Sequence, residues 1–130
     1  MYIAMNRFRI VLGRENEFES IWKNRDTHLE NVPGFINFNL VKGETDEECT
    51  LYASHSTWNS QDDFINWTKS EAFKLAHKNA GQHKDIYIGH PVFEGFNVVV
   101  WFLLDKTNSS KKQIRILFPL KNRWILLQKQ

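Results

Sequence analysis

Three residues of this sequence are of types that could do chemistry: Asn6, Trp67 and His77. Asn6 sits in "YIAMNRFRI", where alternation places Tyr2, Ala4, Phe8 and Ile10 on its face of an extended segment. An unpartnered amide in such an apolar stripe costs roughly 1–3 kcal/mol. His77 sits in "FINWTKSEAFKLAHKNAG", on a helical face shared with Phe73, Ala76 and Ala80. Trp67 lies ten residues earlier, with Phe64 one turn before it. Taken singly, each has an ordinary reading. His77 suits a core histidine satisfied by a backbone carbonyl, and Trp67 suits the filling of a helix–sheet interface. Taken together, two polar groups facing one gap beside large aromatics describe a pocket with a few placed polar groups. Packing and binding both account for the pattern.

The elements that must position these residues follow a strand, helix, strand, strand, helix, strand order. Tyr2–Leu12 reads as the first strand, closed by Gly13, and a helix runs from Glu15 to about Leu29 with Phe18, Trp22, Arg25 and Leu29 at helical steps. Pro33 and Gly34 supply turn chemistry. Phe35–Val41 is a second strand with Ile36, Phe38 and Leu40 on one face, "KGETDEEC" a charged hairpin loop, and Thr50–Trp58 a third strand. Asn59 or Ser60 caps the next helical region, with Asp62 and Asp63 near its positive end, and this region runs to about Ala80 before Gly81. An irregular "QHKDIYIGHP" leads to a fourth strand over roughly Val92–Val100. This βαββαβ order predicts an α+β, ferredoxin-like fold with both helices on one face of an antiparallel sheet. Apolar residues on the other face, among them Ile3, Met5 and Val11, call for a cover, and the simplest is the same face of a second chain in a two-fold homodimer.

The 130 residues fit one domain with an appendage. Residues 1–100 carry ten basic and fourteen acidic side chains, a net of −4, whereas 101–130 carry seven basic side chains against Asp105, a net of +6. The expected organisation is therefore a domain over 1–100 and a basic extension over 101–130. Within the extension "DKTNSSKK" reads as a polar linker, and "QIRILF" and "RWILLQ" flank "PLKN" as a possible hairpin. Its basic residues beside Trp124 suit anionic lipid, nucleic acid or a partner. The plainer readings are padding of the dimer surface, a swap onto the partner subunit, or an extension from a vector or reading frame, and no nucleic-acid partner is expected. No apolar run reaches membrane-spanning length, the start shows no basic-then-apolar leader, and Cys49 is the one cysteine; these point to a cytoplasmic protein.

Other candidates are weaker. Trp22 and Arg25 lie on the first helix, where the ordinary reading is a core Trp and a solvated charge. His55 lies in the third strand on the face opposite Trp58, aimed at a dimer interior. His28, His83 and His90 lie in or near loops, the last two flanking a segment placed to close over the pocket. No His/Cys/carboxylate cluster has zinc spacing, and there is no Ser–His–Asp order or phosphate-binding glycine loop. A metal held by protein ligands alone is not expected.

The Asn of "AMNRF", the Trp of "FINWTKS" and the His of "FKLAHK", with the flanking "VPGF" and "STWNSQDDF", resemble the antibiotic biosynthesis monooxygenase (ABM) superfamily. Within it they are similar to the small haem-degrading monooxygenases of the iron-regulated surface determinant type. The likeness spans about residues 2–99 and implies a dimeric α+β barrel. It also implies haem as both substrate and cofactor, with O2 and an external electron donor such as a reductase, ring opening to a linear tetrapyrrole, and a role in iron acquisition. Carried onto this chain, His77 is the axial ligand to haem iron, Asn6 donates a hydrogen bond on the distal face, and Trp67 buckles the macrocycle. Trp22 and Arg25 touch the haem face and a propionate, with Phe64 and Phe73 as further contacts. Two other readings stay open: a cofactor-free monooxygenase of an aromatic polyketide or quinol, which needs no His ligand, and a non-catalytic haem-binding dimer.

Overall fold

The computed structural model describes residues 1–104, 114–120 and 123–128. The elements run β1 (Tyr2–Val11), α1 (Glu15–Lys23), β2 (Phe35–Thr45), β3 (Cys49–Trp58), α2 (Gln61–Thr68), α3 (Glu71–His77), a 3-10 turn over Lys84–Ile86, and β4 (Val92–Asn97). Three further strands follow: β5 (Trp101–Leu104), β6 (Ile114–Leu120) and β7 (Arg123–Gln128). The chain divides into two units between Phe96 and Asn97, with Met1 grouped with the second. No helix among the described residues is long and apolar enough to cross a membrane.

The first unit is built on a sheet of order β2-β3-β1-β4, the ferredoxin-like arrangement expected from the element order. β3 pairs antiparallel with β1 in a register that sets Tyr2 opposite Trp58, Ala4 opposite Ser56, Asn6 opposite Ser54 and Phe8 opposite Tyr52. The even face of β1 is therefore continuous with the even face of β3. Tyr2, Ala4, Phe8 and Ile10 are buried on it, as the alternation requires. On the opposite face Ile3, Met5 and Val11 are half-buried and Val41 is exposed.

The buried face carries two apolar clusters with a gap between them. Phe8, Ile10, Phe18, Tyr52 and Ile86 form one, and Tyr2, Ala4, Leu29 and Trp58 the other. The row between holds Asn6 and Ser54, with Ala4 and Ser56 beside it, and these small side chains leave space above the sheet. In the second unit β5, β6 and β7 form a three-stranded antiparallel sheet in that order, and the β6–β7 pairing joins the two apolar segments on either side of "PLKN". The expected linker "DKTNSSKK" lies outside the described residues.

Several boundaries differ from the sequence reading. α1 ends at Lys23 rather than near Leu29. The chain after it passes through an Asp26 side-chain turn onto the His28 amide and then positive φ at His28 and Asn31, so Leu29 reaches the core from a loop. In β2 a bulge between Phe35 and Asn37 puts Phe35 opposite Trp58 and Phe38 opposite Ser56, which drops Ile36 from the core face and leaves it exposed. The long helical region is two helices. Ser60 caps α2 and Ser70 caps α3, each side-chain oxygen accepting from the amide three residues on. β4 stops at Asn97 rather than Val100. The turn at "VPGF" needs its glycine: Gly34 has φ +80°, and a Cβ there would overlap the Asp63 side chain.

Candidate functional site

The gap over the Asn6–Ser54 row opens into a cavity with a larger lobe of about 580 Å3 and a smaller one of about 70 Å3. The larger lobe lies within the range of small-molecule sites. Asn6, Trp22, Arg25 and His77 line both lobes, so the predicted strand amide and helix imidazole do meet at one space. Trp67 and Phe64 line the smaller lobe, together with Ala76 and the small sheet residues Ala4, Ser54 and Ser56. Phe73 lines neither. Its ring stacks on His77 at 4.0 Å between centroids and meets Trp67 edge-on at 4.9 Å, so it supports the site from behind.

His77 is held by its own helix. Its Nδ1 lies 2.7 Å from the Phe73 carbonyl oxygen. A carbonyl only accepts, so Nδ1 carries the proton of the neutral ring and Nε2 keeps a lone pair. No hydrogen bond among the described residues engages Nε2. The ordinary reading of the histidine, satisfied by a backbone carbonyl, thus accounts for one ring nitrogen only.

Ser70 links the two helices that carry Trp67 and His77. Its hydroxyl donates to the Trp67 carbonyl at 2.6 Å and accepts from the Phe73 amide at 3.2 Å. Trp67 packs on Trp58 at 5.2 Å, and its ring stands 6.0 Å from His77. The indole N–H groups of Trp67 and Trp22 are buried without a hydrogen-bond partner among the described residues, as is Nδ1 of His55 on the far sheet face. Trp22 is fixed by stacking on Phe38 at 5.6 Å and by Phe8 and Phe18.

Arg25 lies half-buried with its guanidinium 4.2 Å from the Trp22 ring, and no acidic side chain among the described residues pairs with it. Burial lowers its pKa, with the nearby Tyr87 phenol acting in the opposite sense. A cation taken partly out of water without a counter-ion favours a bound anion.

The larger lobe also recruits residues that the sequence did not single out: Ile21, Asn79, Lys84 and Tyr87. His83 and His90 line it too, which puts the segment they flank at the cavity wall. His28 lines neither lobe and lies 3.6 Å from Asp26. Among the described residues no cluster of His, Cys, Asp and Glu could hold a metal ion by protein ligands alone. The cavity thus brings together one imidazole nitrogen without a hydrogen bond among the described residues, a strand amide, several aromatic rings and a guanidinium without an acidic partner.

This fold belongs to a known class. The family model for antibiotic biosynthesis monooxygenase matches residues 1–79, and the chain belongs to that family. Among its relatives, a heme-degrading monooxygenase of Bacillus thuringiensis (strain Al Hakam) is 27% identical over 92 residues, covering 71% of this chain and 85% of that protein. A staphylobilin-producing heme oxygenase of Staphylococcus epidermidis is 27% identical over 85 residues, 65% of this chain and 81% of that one. The structure is also similar to that of the heme-degrader MhuD from Mycobacterium tuberculosis, solved with two hemes in its active site, at a TM-score of 0.58 and 25% identity over 76% of this chain and 96% of that chain.

Proposed function

We propose that this monooxygenase-family chain degrades haem, opening the porphyrin ring with O2 and electrons from a reductase and releasing iron and a linear tetrapyrrole. The observation that carries the reading is the His77 ring, whose Nδ1 is committed to the Phe73 carbonyl while Nε2 keeps its lone pair in a residue that lines a cavity shared with Asn6. The names of the relatives support the same substrate. Bound haem supplies the redox-active iron on which oxygen chemistry at the ring takes place.

The chain's own residues bind, orient and shield. His77 would offer Nε2 to the iron, with the Phe73 carbonyl fixing its tautomer. Asn6 would offer its amide N–H to a ligand in the cavity it shares with His77. Trp67, backed by Trp58 and Phe73, presses on the macrocycle, while Trp22 and Phe64 add apolar surface and exclude water. Arg25 pairs with a propionate, which answers its lack of a counter-ion. The apolar sheet face with Ile3, Met5 and Val11, and the His55 Nδ1 that has no hydrogen-bond partner among the described residues, support a two-fold dimer built through that face. We assign the protein to the cytoplasm and to haem-iron turnover on the same reading.

Haem turnover tests this directly. After addition of about one haem per chain, ascorbate or a reductase in air is expected to make the Soret band decay while a chelator traps iron. A Soret band that persists under these conditions would make the protein a haem-binding module, and failure to bind haem would return His77 to a packing role.

A further inference from the structure

Charge is unevenly placed along the domain. Residues 72–84, "AFKLAHKNAGQHK", hold Lys74, Lys78 and Lys84 and no acid, a net of +3. The other seven basic and all fourteen acidic side chains of the first hundred residues make a net of −7. The three lysines are exposed, as is Leu75 between the first two. Lys74 and Lys78 stand one turn apart at the end of α3, and Lys78 follows His77 directly. Consecutive turns fold the segment after them: the Ala80 amide donates to the His77 carbonyl at 2.9 Å and the Gln82 amide to the Asn79 carbonyl at 3.3 Å. The Lys84 side chain lies along Gly81, where a Cβ would meet its Cε at 3.3 Å. Lys74 pairs with Glu71 at 3.1 Å, whereas Lys78 and Lys84 have no acidic partner among the described residues. Arg7, Arg9 and Arg14, by contrast, are all paired with carboxylates. Asn79, Ala80, Gly81, His83 and Lys84 also line the larger lobe, so this basic stretch is at once protein surface and cavity wall.

Resting on the haem reading above, we propose that residues 72–84 are the docking surface of an acidic one-electron carrier protein of the iron–sulfur class, which delivers the electrons of the reaction beside His77. Each encounter moves one electron: the reduced cluster is oxidised by one, ferric haem iron becomes ferrous, and no atom or proton changes hands. Redox encounters of this kind use small, transient surfaces rather than large apolar ones. Complementary charge raises their association rate and sets their orientation. Lysines around one exposed leucine have that character, and Lys78 is the next residue in the chain to the proposed iron ligand. The basic 101–130 segment has the same sign and does not serve as a cover for this stretch. The net of −7 on the rest of the domain turns an acidic partner away from its other surfaces.

The test supplies the haem-loaded chain with electrons in two ways: from an acidic plant-type iron–sulfur ferredoxin with its NADPH-dependent reductase, and from ascorbate, a small reductant that needs no docking. Ferredoxin-driven decay of the Soret band is expected to slow about tenfold or more between about 0.01 and 1 M salt, over which the screening length falls from about 30 to about 3 Å, while ascorbate-driven decay changes little. The double variant Lys74→Gln/Lys78→Gln should lose about threefold or more of the ferredoxin-driven rate at low salt and keep the ascorbate-driven rate. A second readout needs no haem: oxidised ferredoxin added to the haem-free chain is expected to shift amide NMR signals within residues 72–84, and to shift them less in the double variant. Shifts elsewhere or none, binding of phosphatidylserine vesicles in place of ferredoxin, a wild-type ferredoxin-driven rate in the double variant, or equal slowing with ascorbate would overturn the docking surface while leaving the haem reading standing. Failure of the intact chain to bind haem would overturn both.

Discussion

Asn6 is a strand residue that faces the small Ser54, whereas Tyr2 faces Trp58 and Phe8 faces Tyr52. Phe8 and Ile10 belong to one apolar cluster and Tyr2 and Ala4 to another, while Asn6 faces Ser54 across the β1–β3 pair and borders both lobes of the cavity. If its amide serves the ligand, Asn6→Ala should retain haem and fold normally but slow ring opening about a hundredfold, the usual cost of removing one placed donor. Single-turnover decay of the Soret band checks this, and unchanged turnover would remove the distal role. Trp67 presents a different case, because its indole packs on Trp58 and Phe73 from two sides. Trp67→Phe should slow decay several-fold and leave a flatter ring, visible in the out-of-plane bands of resonance Raman spectra.

At the level of elements, the site depends on the junction between α2 and α3. Ser70 caps α3 and also holds the Trp67 carbonyl, so Ser70→Ala should lower stability by about 1 kcal/mol and weaken haem binding by loosening Trp67 against His77. Denaturant midpoints and Soret titrations read the two effects separately. The cavity wall over residues 84–91 depends in turn on Ile86, which is fully buried in the cluster of Phe8 and Phe18. Ile86→Ala should cost roughly 2–5 kcal/mol. The capping signal of Ser70 was present in the sequence, yet the apolar periodicity running through it from Phe64 to Ala80 hid the break. α1 is shorter than its periodicity for a related reason: Leu29 falls at a helical spacing but reaches the core through a loop with positive φ at His28. Ile36 kept strand alternation while a bulge took it off the core face, and bulges leave no trace in a period-two pattern. The convergence of Asn6, Trp67 and His77 was legible because each stands out by type on a regular element. Tyr87 and Lys84 were not, since they sit on a 3-10 turn and an isolated bridge where no periodicity marks a face.

For the molecule as a whole, charge placement bears on stability and the apolar sheet face on assembly. The Glu15 carboxyl is held below its ordinary pKa by its own helix N–H and by the Thr50 hydroxyl. Arg14 lowers Glu17 and Asp85, and the Cys49 and Glu48 amides lower Asp46. These groups bind fewer protons folded than unfolded, so their contribution is present above the ordinary carboxylate range near pH 4 and is lost as pH falls through the lower folded values. The urea midpoint should therefore drop between pH 7 and about pH 3, whereas a flat profile would count against these contacts. Light scattering should give twice the chain mass if the face carrying Ile3, Met5 and Val11 is covered by a second copy, and a monomer at micromolar concentration would refute the dimer.

The most direct measurement is a haem titration of the intact chain beside His77→Ala, recorded through the Soret band. Nε2 of His77 is the ring nitrogen left free by the Phe73 carbonyl. A saturable Soret shift near one haem per chain, lost or greatly weakened in His77→Ala, is the predicted result. An unshifted band in the intact chain, or the same shift in both proteins, would contradict the assignment of His77 as the haem ligand.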